Sequence, residues 1–177
     1  RYHFEIYPYT GSRASIDFKT GGGVPVDDDR TFSTEPATHS TTFTATAGLT
    51  SVNLSFDAAN TITVADGYII LRRNGSAPDI SGVVDGVDPA SLTMPAGTTR
   101  VTDITNDATT SYNNTSLTPG QTYHYVLIPY NSNGSNANTF NYKTDGTIPS
   151  LSITTTLAPT ISSVTPVDEA TNRPVTL

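Results

Sequence analysis

The chain has 177 residues, of which 35% are hydrophobic and none is Cys, and its formal net charge is −7. The length fits one or two domains, and the lack of Cys excludes a disulfide framework, a thiolate metal site and a Cys nucleophile. Nine scattered Lys and Arg against sixteen Asp and Glu exclude the concentrated basic face that nucleic acid requires, and no apolar run reaches the length of a membrane span.

In chain order, Tyr2 to Tyr9 (YHFEIYPY) reads as a strand with Tyr2, Phe4 and Ile6 on one face and His3, Glu5 and Tyr7 on the other. Asp27-Asp28-Asp29 is the single charge run. Ser51 to Phe56 alternates, with Val52, Leu54 and Phe56 against Ser51, Asn53 and Ser55, the pattern of a half-buried strand. Gly67 to Arg73 is apolar on both faces and predicts a central strand; its inward set is Tyr68 and Ile70 or Ile69 and Leu71, and periodicity does not choose. Asn74 to Pro78 is a turn cluster. From Asp79 to Thr110 two short segments, Ser91–Met94 and Arg100–Ile104, are candidate edge strands among Gly, Asp and Pro turns. Gln121 to Tyr130 places Tyr123, Tyr125 and Leu127 on one face and His124 and Val126 on the other. Pro8 and Pro129 lack a donor and are expected at strand ends or bulges. Asn131 to Asn138 is a polar loop, and Leu157-Ala158-Pro159 a linker. Several short strands with such punctuation predict an all-β antiparallel sandwich.

The sequence also repeats. YHFEIYPY at Tyr2–Tyr9 returns as YHYVLIPY at Tyr123–Tyr130, 121 positions on (123 − 2). Asp17-Phe18-Lys19-Thr20 returns as Asn141-Tyr142-Lys143-Thr144. The chain opens on Arg1, inside one copy, so it is expected to be a slice of an array. Residues 1–36 read as the last hairpin of a preceding module, 37–157 as a complete module, and 158–177 as a linker and the first strand or strands of a following domain. A lone hairpin is marginal in water, so the first segment is expected to pack on the complete module, on another chain, or on the remainder of its own domain.

Leu117-Thr118-Pro119-Gly120-Gln121-Thr122-Tyr123 resembles the hallmark of fibronectin type III domains, a Leu, then Pro-Gly, then a Tyr three residues later. The resemblance implies that Tyr123 is a corner tyrosine, its ring in the core and its hydroxyl bonded to the backbone of the preceding loop. It also implies that Phe56 stands where that family usually has Trp. Tyr68–Pro78, the Asp85-Gly86 turn, Leu117–Tyr130 and Asn141–Lys143 resemble fibronectin-type modules of large secreted bacterial proteins, many of which carry a type IX secretion sorting domain. That implies an extracellular or cell-surface address and a non-catalytic role. Pro159 to Leu177 resembles the opening of bacterial Ig-like domains. The core expected from these readings is Tyr123, Phe56, Leu54, Tyr125, Leu127 and Leu117.

Chemistry has few carriers. His3 and His124 read as solvent-facing strand residues, and His39 beside Ser40 and Thr41 lacks any nucleophile motif. Asp27–Asp29 offers the oxygen ligands calcium takes but not the alternation of a calcium loop, and the second copy has Ser150-Leu151-Ser152 there; a solvated turn is the expectation. Asp79, Asp85 and Asp88 form a sparser calcium candidate. Otherwise no cofactor is expected. Tyr7, Tyr9 and Tyr130, with Asn131, are candidates for surface recognition of sugars, the alternative being burial between modules. The function expected is therefore a structural or adhesive spacer, with neighbouring modules as partners. The alternatives are a polysaccharide-binding accessory module of a hydrolase and a filament subunit that joins its own copies by strand addition.

Overall fold

The computed structural model describes residues 33–57, 65–106 and 108–163 with their side chains, and the backbone of the strands on either side. Strands β1 (Tyr2–Ile6), β2 (Tyr9–Ser12), β3 (Ser15–Phe18) and β4 (Val26–Arg30) precede a module of β5 (Phe43–Ala47), β6 (Val52–Phe56), β7 (Gly67–Asn74), β8 (Thr98–Ile104), β9 (Ser111–Asn114), β10 (Thr122–Asn131), β11 (Asn141–Tyr142) and β12 (Ser150–Thr154). A short pair, β13 (Val167–Asp168) and β14 (Arg173–Pro174), follows.

Two antiparallel sheets form the module. One runs β5-β6-β9; the other runs β8-β7-β10, with β12 and β11 sharing the far side of β10. Alternation on β6 turns Val52, Leu54 and Phe56 fully inward and leaves Asn53 and Ser55 exposed. They meet Tyr68 and Ile70 of β7 and Tyr123, Tyr125 and Leu127 of β10, with Leu117 and Ile104 closing the ends. The Phe56 and Tyr68 rings lie 5.3 Å apart and tilted, within the range where aromatic pairs add to simple burial.

A second apolar layer covers the opposite face of the larger sheet. Ile69 and Leu71 of β7 and Val126, Ile128 and Tyr130 of β10 pack with Val83 and Tyr142, under Ile80, Leu92, Met94, Phe140 and Ile148. Both sets that periodicity left open on Gly67–Arg73 are therefore buried, one in each layer. Val126 belongs to this second layer.

Two sequence expectations are corrected here. Ser91–Met94 is not a strand: Pro89–Ser91 forms a single 3-10 turn capped by Asp88, and Leu92 and Met94 lie on the outer layer. Pro89 begins that turn, where its missing N–H costs nothing. Pro129 lies inside β10, opposite Tyr68. Its carbonyl accepts from Lys143 N on the side away from β7. The missing donor thus falls where β10 changes partner, between Val126 (paired with Ser150) and Tyr130 (paired with Tyr142). Pro8 lies outside the described residues. Arg100–Ile104 falls within β8, the edge of the larger sheet.

Candidate functional site

The tyrosine corner is built locally. Gly120 adopts φ +71° to turn the chain into β10, and Tyr123, 6% exposed, then points into the inner core. Its hydroxyl accepts from Thr118 N at 3.0 Å, and the Arg72 guanidinium sits 5.3 Å from the ring centroid, in cation–π range. Beside it, Asn114 donates to the Tyr125 hydroxyl at 2.8 Å. Burial pushes the Tyr125 phenol up, and the Asn114 bond partly offsets this. Leu54, Phe56, Leu117, Tyr123, Tyr125 and Leu127 all occupy the inner core cluster.

Tyr130 and Asn131, for which the sequence left surface recognition and burial between modules both open, are buried within the module itself at 3% and 8% exposure. The Tyr130 ring packs within 5.1 Å of Phe140 and 5.6 Å of Tyr142, and its hydroxyl donates to Asp103 at 2.8 Å. The hydroxyl is thus engaged by Asp103. The side chains of Tyr7 and Tyr9, like Asp27–Asp29, lie outside the described residues.

His39, Ser40 and Thr41 do not form a catalytic group. The Ser40 and Thr41 hydroxyls donate to the Asp57 carboxylate, which also accepts from Thr42 N at 2.7 Å. Burial raises the Asp57 pKa, but these bonds outweigh it and hold the carboxyl well below the usual range. They tie the start of β5 to the end of β6. The His39 ring turns elsewhere, to Asp145. Asp79, Asp85 and Asp88 each accept from a backbone N–H, of Ser81, Tyr142 and Ala90 respectively. They shape the loop that covers the outer layer, and among the described residues no three or more His, Asp or Glu come together closely enough to hold a metal ion.

One feature at the pole where β10 ends was invisible to local sequence reading. A half-open cavity of about 620 Å³ is lined by Asp66, Asp88, Asp103, Tyr130, Asn133 and Phe140, among others. Its carboxylates come from three separate segments. Asp66 accepts from Ser132 N at 2.8 Å, and burial pushes the Asp103 carboxyl up despite the Tyr130 bond.

At the same pole the segment entering the module lies against the β10–β11 region. Asn131 Nδ2 donates to the Thr34 carbonyl at 2.7 Å, and Asn141 Nδ2 to the Ser33 carbonyl at 2.9 Å. Lys143 Nζ reaches Glu35 at 2.8 Å and Asp145 at 2.7 Å; bonds to both carboxylates raise its pKa. Pro36 is buried. His39 Nε2 lies 2.7 Å from the Asp145 carbonyl. A carbonyl only accepts, so Nε2 carries the proton, and the buried Nδ1 has no protein partner.

No family model matches the sequence, and no curated protein matches it. Solved structures similar to the chain include the fn3 domain of human contactin 1, at 12% identity over 82% of this chain and 100% of that one, with a TM-score of 0.47. Another is the third fibronectin III domain of human KIAA0343 protein, at 13% identity over 82% and 99%, TM-score 0.44. The FN1–FN3 domains of chicken CNTN1 match at 10% identity over 87% of this chain and 43% of that one, TM-score 0.44. The β-sandwich assignment rests on the strand order of the chain itself.

Proposed function

We propose that the chain is a non-catalytic spacer segment of a tandem array of fibronectin type III-like modules. In this reading residues 37–157 form the complete module, 1–36 end a preceding one, and 158–177 link to and begin an Ig-like domain. One observation carries the reading: the sequence repeat has a counterpart in strand pairing. β1 pairs antiparallel with β4, from Tyr2 opposite Arg30 to Ile6 opposite Val26. β10 pairs antiparallel with β12, from Thr122 opposite Thr154 to Val126 opposite Ser150. Tyr9 opposes Phe18, and the aligned Tyr130 opposes Tyr142. The order and direction of the strands repeat, with the second pairing shifted by one residue: Tyr123, aligned with Tyr2, opposes Ile153, and a repeated strand order is what an array of modules supplies.

The mechanism is mechanical. A sheet buried on both faces resists bending, and Thr-, Ser- and Asn-rich outer positions keep the module hydrated. The resemblance to secreted bacterial modules supports an extracellular or cell-surface address for the whole protein. The polysaccharide-binding alternative loses two of its named carriers, because Tyr130 and Asn131 are buried.

The test is small-angle X-ray scattering from a longer protein that includes the whole preceding module. An array reading expects an elongated particle whose maximum dimension grows by one module length for each module added. A compact particle, or an upstream sequence with no second sandwich, rejects it.

A further inference from the structure

We infer that the end of β10 and the strand β11 form a docking surface for the connecting segment Ser33–His39, which fixes the direction in which the chain enters the module. This inference rests on the spacer reading and names the device that stiffens the junction.

Two of the contacts read main chain. Asn131 and Asn141 each present an amide N–H to a carbonyl of consecutive residues, Thr34 and Ser33. Asn131 is the better anchored, because its own Oδ1 accepts from Asp66 N at 3.2 Å. That second bond orients the amide so that Nδ2 faces the segment. It also leaves a buried donor to be satisfied, so release of Thr34 strands a polar group where water is scarce. A third contact reads side-chain charge, Lys143 on Glu35. A fourth closes the far end, His39 on the Asp145 carbonyl. Between them Pro36 is buried, and its ring holds one backbone angle fixed without a donor to satisfy. Four attachments over seven residues, with a proline at the centre, remove the freedom a connecting segment ordinarily keeps.

The contacts are unequal. The Lys143–Glu35 pair is open to solvent on its Glu35 side, so it contributes little and is screened by salt, whereas the amide-to-carbonyl bonds are short and partly buried. The asparagines therefore carry the docking and Lys143 refines it.

The test uses the 1–177 chain and 15N relaxation of the Thr34, Glu35, Ala37 and Thr38 amides. In the native chain these order parameters are expected near about 0.85, the value of rigid backbone. Asn131→Asp with Asn141→Asp keeps shape, and keeps the acceptor for Asp66 N, but turns both donors into acceptors facing carbonyls. The order parameters should then fall below about 0.6, the flexible range, while β7 and β10 amides keep their values. Lys143→Ala alone should leave the segment near the rigid value. If the double variant fails to fold, Asn141→Asp alone serves, since the first copy carries Asp17 at the aligned position. For it the order parameters of Thr34 and Glu35 should drop measurably. A native segment already below about 0.6 overturns the inference. So does a folded double variant, or Asn141→Asp chain where that is the one used, in which the segment stays rigid. A rigid segment in a protein that scattering shows to lack an upstream module would reject the spacer reading and leave the docking intact.

Discussion

The Tyr123→Phe substitution isolates the corner from the core. It removes one oxygen and leaves the ring, its packing in the inner layer and its contact with Arg72. What is lost is the acceptor for Thr118 N, 3.0 Å away. A net intramolecular hydrogen bond contributes about 0.5–1.5 kcal/mol, and a stranded donor costs more when buried. Thr118 is exposed, so water takes over its N–H and the expected loss is about 1 kcal/mol. Tyr123→Ala removes the ring as well and should cost about 3–5 kcal/mol, the range for deleting a buried aromatic. Urea unfolding of the 1–177 chain reads both. With an m-value of about 1–3 kcal/mol per molar, the Phe variant should shift the midpoint by roughly half a molar and leave m unchanged. A Phe variant indistinguishable from native would show that the hydroxyl holds nothing. A Phe variant as unstable as Ala would show that the ring packing was misread.

Other substitutions probe the remaining parts. Ile128→Ala should cost about 2–5 kcal/mol, as much as Leu127→Ala, because the outer layer is a true core; urea midpoints compare them directly. Gly67→Ala should destabilise by about 1–3 kcal/mol or more, since an added Cβ would meet Ile104 O and the Tyr130 ring at 2.4 Å; thermal unfolding reports it. Asp57 is held below its ordinary pKa of 3.8 in the folded state. The unfolded chain therefore binds the extra proton first, and the stability Asp57 contributes is present above that value and lost as pH falls below it. Asp57→Asn should cost about 1 kcal/mol at neutral pH, below the usual range for charged hydrogen bonds because the site is part-exposed, and should flatten the acid arm of a stability–pH curve.

Much of the sandwich is written locally. The strict alternation of Val52, Leu54 and Phe56 names their face without help from distant residues, and Leu117–Tyr123 carries the corner in seven consecutive positions. The continuous apolar run of Tyr68–Leu71 signals burial on both sides, yet not what lies on each side. The cover of the outer face comes from 80–94 and 140–148, whose turn-rich sequence looks like ordinary loop. That is why Tyr130, at a strand end beside a polar loop, read as exposed: the residues that bury it, Phe140 and Tyr142, gain their places only through folding. The Asp66–Asp88–Asp103 cavity and the docking of Ser33–Glu35 were illegible for a related reason. Each joins residues from separate segments. An asparagine that reaches a backbone carbonyl about a hundred positions away has no side-chain partner whose spacing could announce it.

The proposed array is tested most directly by single-molecule stretching of a protein extended to include the whole preceding module. Modules repeating at the 121-position spacing of the two sequence copies should give a regular sawtooth. Each rupture should release a contour of about 400 Å, from roughly 3.3–3.6 Å per extended residue less the short folded length. Repeated peaks of that spacing are the predicted result. A smooth extension curve without force peaks, or ruptures of unrelated lengths, would contradict the account.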